Sequence, residues 1–117
     1  MMNCREVGGD YERYAAQYLE KQGYRILERN FRCREGEIDL IAEENGYLCF
    51  IEVKYRSTTA SGYPQEAVGY RKQRRIYRTA AAYLQKRKPG RHLPCRFDVV
   101  GISPEGIWLI RNAFGGM

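Results

Sequence analysis

The sequence predicts a single α/β domain with the element order αβββαββ, in which a mixed central sheet is flanked by helices. Three observations predict this class. Two stretches carry apolar side chains at helical spacing, several short apolar runs have the length of strands, and an Asn-Gly pair separates two of those runs. The chain of 117 residues is long enough for one domain with a modest core and too short for two. We therefore expect one domain over residues 1–117.

The first helix is expected over about residues 10–22. Asp10 can cap its amino end, because a short acidic side chain accepts hydrogen bonds from the first free N–H groups, and Gly23 can end it. One apolar face results from the spacing of Tyr11, Ala15, Tyr18 and Leu19.

Three strands should follow, over residues 24–33, 37–42 and 47–55. The pair Asn45-Gly46 lies between the last two, and both residue types tolerate positive φ. A two-residue turn of this kind is typical of a β-hairpin. The second and third strands should therefore pair antiparallel.

The second helix should follow a small, polar loop over residues 57–63. Pro64 suits the first turn of a helix, where its missing N–H removes no hydrogen bond, and Pro89 ends the helical pattern near residue 86. Its apolar side is formed by Ile76, Ala80, Tyr83 and Leu84. Two final strands, over residues 95–102 and 107–112, should be joined by a turn at 103–106.

Composition excludes several classes of protein. The four cysteines form no C-x-x-C pair and His92 is the only histidine, so the spacing typical of zinc ligands is absent and we expect no zinc site. No apolar run approaches the length of about 18 residues that a membrane span needs, and the amino terminus has no secretory signal. We expect a reduced, cytoplasmic protein with no membrane partner. The net charge of +6 favours polyanions such as nucleic acid.

An acidic pair with a neighbouring lysine is the strongest chemical signal. Glu52 and Lys54 lie two residues apart in one strand and so point to the same side. Counting outward from the Asn-Gly turn places Asp39 opposite or diagonal to Glu52. Two adjacent carboxylates repel each other unless a cation lies between them, and Mg²⁺ or Mn²⁺ prefers such hard oxygen ligands. The backbone carbonyl of Val53 is a further candidate ligand.

The same residues also allow a simpler interpretation. A Glu-x-Lys pair on a strand is common and usually makes a weak surface ion pair. Here, however, the charges are embedded in the apolar strand Leu48-Cys49-Phe50-Ile51-Glu52-Val53-Lys54. Buried charges need partners or a metal ion, so this context favours a functional site.

The second helix carries a run of basic residues. A basic stripe suited to the phosphate backbone is formed at spacings of three or four by Arg71, Lys72, Arg75 and Arg78. Arg56, directly after the Glu-x-Lys strand, is another candidate phosphate ligand. A solvated helix face is the alternative, which we favour for the cations at residues 86–88. Arg96 and Asp98 share one strand face, and a structural ion pair is expected there.

Several motifs give the chain a resemblance to a known family. Gly36-Glu37-Ile38-Asp39-Leu40-Ile41, Phe50-Ile51-Glu52-Val53-Lys54-Tyr55-Arg56 and Arg96-Phe97-Asp98-Val99-Val100 occur in this order. On these motifs, and on the earlier Tyr24 and Arg29-Asn30-Phe31, the chain resembles the YraN family of small bacterial proteins from about residue 10 to residue 110.

The resemblance carries implications for fold and activity. The YraN family is similar to archaeal Holliday-junction resolvases and to the wider restriction-endonuclease-like superfamily, whose signature is Asp…(Asp/Glu)-x-Lys. It implies that Asp39, Glu52 and Lys54 form the catalytic core. Glu12 stands where the resolvases carry a further acidic residue on the first helix, although an acidic residue in a first turn also simply favours the helix dipole.

The leading expectation is a Mg²⁺- or Mn²⁺-dependent endonuclease-like domain that acts on DNA, with branched DNA among its candidate substrates. Cleavage of both strands would suit a homodimer. Two alternatives stay open. The chain could bind nucleic acid without cleaving it, or its basic face could bind an acidic protein, since one fold hosts many functions.

Overall fold

A computed structural model of the chain describes residues 4–56 and 68–115, with side chains from residue 11 onward. The order of its elements confirms the predicted αβββαββ arrangement. In chain order they are α1 (Cys4–Lys21), β1 (Arg25–Cys33), β2 (Gly36–Glu44), β3 (Tyr47–Tyr55), α2 (Tyr70–Arg87), β4 (Cys95–Ser103) and β5 (Gly106–Phe114).

The described strands form one mixed sheet in the spatial order β1-β2-β3-β4-β5. Neighbouring strands pair antiparallel except β3 and β4, which run parallel. A parallel pair needs a crossover connection, and here the segment that holds α2 supplies it. The central strand β3 is therefore flanked on both sides by other strands.

The two helices pack on opposite faces of this sheet. On the α1 face, Ala15, Ala16 and Leu19 pack into a core with Leu40 and Ile51. On the α2 face, another core contains Phe31, Ile41, Phe50, Ile76, Ala80 and Tyr83. Because side chains alternate along β3, the apolar residues of this strand divide between the two cores.

The turn between β2 and β3 has the geometry that the sequence predicts. Asn45 has φ 53° and Gly46 has φ 80°. Positive φ at both central residues is what a tight hairpin turn requires. The register runs outward from Glu44 opposite Tyr47 to Leu40 opposite Ile51, which confirms the antiparallel pairing.

The predicted start of the first helix is wrong. The helix begins at Cys4 rather than near Asp10, so Asp10 lies inside it and is not its cap. A side chain that can cap a helix is also compatible with its first turns, where a negative charge favours the helix dipole, so a capping residue alone does not fix the boundary. The predicted end is nearly right, since the helix closes at Lys21 and Gly23 has φ 102°.

The predicted start of the second helix is also wrong. Pro64 and the expected loop at 57–63 lie outside the described residues, but Val68 and Gly69 are described and are not helical. Gly69 is extended, with φ −71° and ψ 167°, and precedes the first helical residue, Tyr70. A proline that suits a first helical turn does not require a helix there, and a glycine inside a helix is unfavourable.

Neither helix of the described part of the chain has both the length and the apolar composition that crossing a membrane would require.

Candidate active site

The β2–β3 hairpin brings Asp39 and Glu52 together. Leu40 pairs with Ile51 across the two strands. Asp39 and Glu52 are their neighbours on the side away from the turn, so they lie next to each other. At this point a side chain replaces the main chain in the ladder, because the N–H of Val53 donates to Oδ2 of Asp39 at 2.8 Å. This hydrogen bond fixes the Asp39 carboxylate against the backbone of β3, beside Glu52.

The pKa of Asp39 depends on its burial and on the neighbouring carboxylate of Glu52. Burial and the neighbouring Glu52 raise the pKa of Asp39 to about 7, although the Val53 N–H and Lys72 act in the opposite direction. Glu52 itself is buried, with 8% of its surface exposed. Two buried carboxylates in one place favour a nearby cation, which is the electrostatic condition expected at a cation site.

Two lysines approach the same carboxylate oxygen. Nζ of Lys54 lies 3.6 Å from Oε1 of Glu52, and Nζ of Lys72 lies 2.5 Å from the same atom. Lys54 comes from the same strand as Glu52, as the sequence predicts. Burial lowers the pKa of Lys54, and the nearby ammonium of Lys72 lowers it further, against the influence of Glu52.

The contact of Lys72 with Glu52 was not predicted. Helical spacing places Lys72 in the basic stripe, and its expected partner was a phosphate. Instead the first turn of α2 brings its ammonium to the acidic pair. Burial alone would lower the pKa of Lys72, but the hydrogen bond to Glu52 and the charges of both acids raise it above its usual value. The register of a helix on a sheet, which sequence spacing does not give, decides this contact.

The place of α2 depends on a close approach to Gly36. This residue has φ +151°, and a Cβ atom added there would lie 2.9 Å from Oγ1 of Thr79 and 3.0 Å from Cγ of Arg75. Both contacts are with α2. The absence of a side chain at Gly36 thus lets the helix lie close to β2, which is what brings Lys72 within reach of Glu52.

Glu12 lies within electrostatic reach of the pair. Its carboxylate adds to the raised pKa of Asp39. Burial raises the pKa of Glu12, while Arg29 acts against that rise. Among the side chains that the structure describes, in residues 11–56 and 68–115, no group of three or more His, Cys, Asp or Glu is arranged to hold a metal ion. The catalytic role of Glu12 therefore stays a prediction.

The chemistry of the donors fits a hard divalent cation. Asp39 and Glu52 supply carboxylate oxygens, which Mg²⁺ and Mn²⁺ prefer, and their mutual repulsion would be relieved by bound positive charge. The N–H of Val53 is directed to Asp39, which holds the peptide beside the pair. Its carbonyl as a third ligand stays a prediction.

A cavity of about 350 Å³ opens beside the acidic pair. Basic residues line it together with the acids, and the set includes Arg32, Gly36, Glu37, Asp39, Glu52, Lys72 and Arg75. The mixture of three acids and three cations in one cavity is suited to a ligand that carries a phosphate and a metal ion together.

The remaining predicted phosphate ligands lie outside this cavity lining. Arg71 and Arg78 are exposed on α2. Arg56 is partly buried, and its backbone N–H donates to the backbone carbonyl of Ile102 at 2.9 Å. Arg75 therefore joins the acidic site, and Arg71 and Arg78 extend the positive charge along the helix. Phosphate binding by these residues stays a prediction.

The predicted ion pair between Arg96 and Asp98 is confirmed, and it is part of a larger buried network. Nε of Arg96 donates to Oδ1 of Asp98 at 2.9 Å, and its Nη2 donates to the Tyr24 hydroxyl at 3.0 Å and to Oε1 of Glu44 at 2.6 Å. Arg111 also binds Glu44. Sequence spacing indicates only the first pair, because the others join strands that are far apart in the chain.

Comparison with known proteins identifies the family. The model of the uncharacterised protein family UPF0102 matches residues 11–102. A UPF0102 protein of Lachnoclostridium phytofermentans is 54% identical over 113 residues, which cover 97% of this chain and 96% of the relative. A UPF0102 protein of Persephonella marina is 47% identical and covers 92% of this chain and 91% of its own length. These relatives are named for their family and not for an activity. On this match, the chain belongs to the UPF0102 family.

Proposed function

We propose that this protein is a DNA endonuclease that depends on Mg²⁺ or Mn²⁺, bound between Asp39 and Glu52. One observation carries the proposal. Two carboxylates from neighbouring strands meet beside a lysine of the Glu-x-Lys strand, and burial with mutual repulsion raises the pKa of one of them to about 7. Burial of two carboxylates costs folding free energy wherever their charge is not compensated. A buried acidic pair with a shifted pKa is therefore typical of a functional site.

Each residue of the site then has a chemical role. When bound, the metal ion would act as a Lewis acid on the attacking water and the phosphodiester. Asp39 and Glu52 hold the cation, with the Val53 carbonyl as a further ligand. The ammonium of Lys54 orients the water or stabilises the negative charge that develops in the transition state. Glu12 adds negative charge at the edge of the site.

The basic residues supply the contacts to the substrate. Lys72 and Arg75 line the cavity next to the acids. Arg71 and Arg78 are exposed on the same helix, and Arg56 directly follows β3. These three are the further phosphate contacts of the proposal. Contacts of this kind bind the sugar–phosphate backbone and do not read base sequence. The resemblance to archaeal Holliday-junction resolvases and to the restriction-endonuclease-like superfamily supports branched DNA as one substrate to test.

A second candidate function is nucleic-acid binding without cleavage. A specific observation favours it. The ammonium of Lys72 lies 2.5 Å from Oε1 of Glu52 and so occupies the oxygen that a metal ion would need as a ligand. Within the described ranges, no third acid joins Asp39 and Glu52 in a metal-binding group. A protein of this kind would need the basic helix but not the acids.

Two wider features belong to the proposal. Cleavage of both strands of a DNA substrate would suit a homodimer with one site for each strand. A DNA substrate and the free thiols of Cys33, Cys49 and Cys95 both agree with the reducing cytoplasm of a bacterium.

The deciding experiment measures cleavage of labelled duplex, single-stranded and four-way-junction DNA in Mg²⁺ and in Mn²⁺. The variants are Glu52→Gln, which removes one carboxylate of the pair, and Glu20→Gln as a matched control, because Glu20 is exposed on α1. We expect cleavage by the native protein and by the control, and loss of at least about 100-fold in rate for Glu52→Gln.

The outcomes separate the two candidates. Salt-sensitive DNA binding without cleavage in either metal would favour the binding-only function. Equal cleavage by Glu52→Gln would exclude the proposed active site, since the activity would then come from elsewhere. Binding to none of the DNA substrates would reject both functions.

A further inference from the structure

Lys72 occupies an unusual position for a basic residue on a DNA-binding helix. Its ammonium lies 2.5 Å from Oε1 of Glu52, closer than the 3.6 Å of Lys54 to the same oxygen. Glu52 is buried, whereas 39% of the Lys72 side chain is exposed. The acidic residue is thus fixed in the sheet, and the basic residue reaches it from the helix above.

The ammonium of Lys72 stands where a cation would be bound by the acidic pair. It contacts Glu52 directly and interacts electrostatically with Asp39 as well. The ammoniums of Lys72 and Lys54 therefore partly neutralise the two carboxylates in the protein without metal, and that of Lys72 is the closer to Glu52. A divalent ion that binds both carboxylates has to compete with this ammonium for the same oxygen.

The lysine side chain has room to leave. Lys72 lines the cavity of about 350 Å³ that also contains Arg32 and Arg75. Its long, flexible stem lets the ammonium move by several ångströms without a change in the helix. After such a movement, Lys72 and Arg75 would face the cavity next to the acidic pair, together with Arg32, which forms an ion pair with Glu37 at 3.0 Å. Cations in this arrangement are suited to a phosphate.

We propose that Lys72 is a built-in counter-ion of the acidic pair, which a divalent metal ion displaces from Glu52 so that the ammonium becomes available to a substrate phosphate. This inference rests on the proposed metal site at Asp39 and Glu52. It adds a coupling between the two ligands. Metal binding releases a phosphate-binding cation, and a phosphate that binds Lys72 favours the metal, because the two effects are reciprocal.

The first test measures the affinity of Mn²⁺ for the metal-free protein by titration calorimetry. Lys72→Met removes the competing charge and keeps most of the apolar stem, and Lys86→Met is the matched control, since Lys86 is exposed in the last turn of the same helix. We expect Lys72→Met to bind Mn²⁺ about tenfold more tightly, which equals about 1.4 kcal/mol. The control should bind as the native protein does, and Lys72→Gln should behave as Lys72→Met does.

The possible results of this titration distinguish the two proposals. Equal affinity in the native protein, Lys72→Met and Lys72→Gln, together with loss of binding in Glu52→Gln, would keep the metal site and overturn the role of Lys72. Weaker binding by Lys72→Met would overturn it too, because Lys72 would then support the metal. Absence of Mn²⁺ binding in every variant would overturn the metal site itself and this inference with it.

The second test measures DNA binding without any metal, in the presence of a chelator. Glu52→Gln removes the partner of Lys72 and should therefore release its ammonium to the DNA. We expect tighter binding by Glu52→Gln, and we expect the gain to be smaller by about threefold or more when Lys72→Met is also present.

A gain of equal size in both backgrounds would show that only the loss of negative charge matters, and it would overturn the release of Lys72 toward phosphate. Circular dichroism melting of each variant verifies that the proteins compared are folded.

Discussion

At the scale of single residues, the carboxyl group of Asp39 shows how burial and charge combine. Burial and the charge of Glu52 raise its pKa to about 7, and the hydrogen bond from the Val53 N–H opposes the rise. In an unfolded chain the same group would titrate near its ordinary value of about 3.9. Between these two values the folded protein binds more protons than the unfolded one. The contribution of Asp39 to stability is therefore fully present below about pH 4 and is lost as the pH rises through about 7.

This sign leads to a prediction for Asp39→Asn in metal-free buffer. The variant cannot ionise, so it should not share the loss of stability between about pH 4 and pH 7. At about pH 8 we expect its free energy of unfolding to exceed that of the native protein by on the order of 1–3 kcal/mol, after the weaker hydrogen bond to Val53 is included. Urea unfolding at several pH values, with a chelator present, measures the difference.

The control for this prediction is Glu43→Gln, because Glu43 belongs to the same strand and makes an exposed ion pair with Arg25. Its free energy of unfolding should change little and should follow the native pH dependence. If the free energies of unfolding of Asp39→Asn and the native protein depended on pH in the same way, the pKa of Asp39 would not be raised in the folded protein.

At the scale of secondary-structure elements, a buried charge network joins β2, β4 and β5 to the segment just before β1. Arg96 on β4 binds Asp98 on the same strand, Glu44 at the end of β2 and Tyr24 just before β1. The backbone N–H of Asn112 on β5 donates to Asp98 at 2.9 Å. Hydrogen bonds from Arg111 and Arg96 hold the pKa of Glu44 at about 2 despite its burial. The network thus ties both edges of the sheet to its centre.

Removal of one member should be costly. Asp98 is fully buried, and Asp98→Ala would leave the Arg96 guanidinium without the carboxylate to which it donates two hydrogen bonds, each of 2.9 Å. We expect the free energy of unfolding to fall by about 3–5 kcal/mol. For comparison, Glu43→Ala removes an exposed partner of Arg25 and should cost less than about 1 kcal/mol. Equal losses in urea unfolding of the two variants would show that burial does not control the strength of these pairs.

Contacts that depend on a local turn can be predicted from the sequence, whereas contacts that depend on how a helix packs on the sheet cannot. Asn45-Gly46 fixes a two-residue turn, so counting outward places Asp39 beside Glu52 correctly. The contact of Lys72 with Glu52 and the close approach at Gly36 depend on how α2 lies on the sheet, which is a tertiary property. Both helix starts were wrong because Asp10 and Pro64 are compatible with a helix end but do not dictate one.

At the scale of the whole molecule, positive charge and the acidic pair lie on the side of the sheet that α2 covers. The chain carries a net charge of +6, and α2 contributes Lys72 and Arg75 to the cavity lining. Arg71 and Arg78 are exposed on the same helix. The positive charge of α2 would therefore attract a polyanion toward Asp39 and Glu52. These two carboxylates would repel it unless a bound cation or the displaced ammonium of Lys72 lies between them.

This arrangement predicts how salt should affect DNA binding. Each phosphate contact releases counterions from duplex DNA, so the logarithm of the binding constant falls with the logarithm of salt concentration by about 0.9 per contact. If Arg71 and Arg78 each contact a phosphate, the double variant Arg71→Gln/Arg78→Gln should lower the magnitude of this slope by about 1.8. Fluorescence anisotropy with labelled duplex, measured over a range of salt concentrations, gives the slope.

The matched control is Lys86→Gln/Arg91→Gln, which removes the same amount of charge near the far end of α2 and beyond it, where both residues are exposed. This variant should weaken binding through net charge alone and leave the slope close to the native value. An equal change of slope in both double variants would mean that DNA binds diffusely to a basic surface. A change of slope only in Arg71→Gln/Arg78→Gln would place the DNA backbone along α2. The DNA would then lie on the helix that also carries Lys72 beside the proposed cleavage site at Asp39 and Glu52.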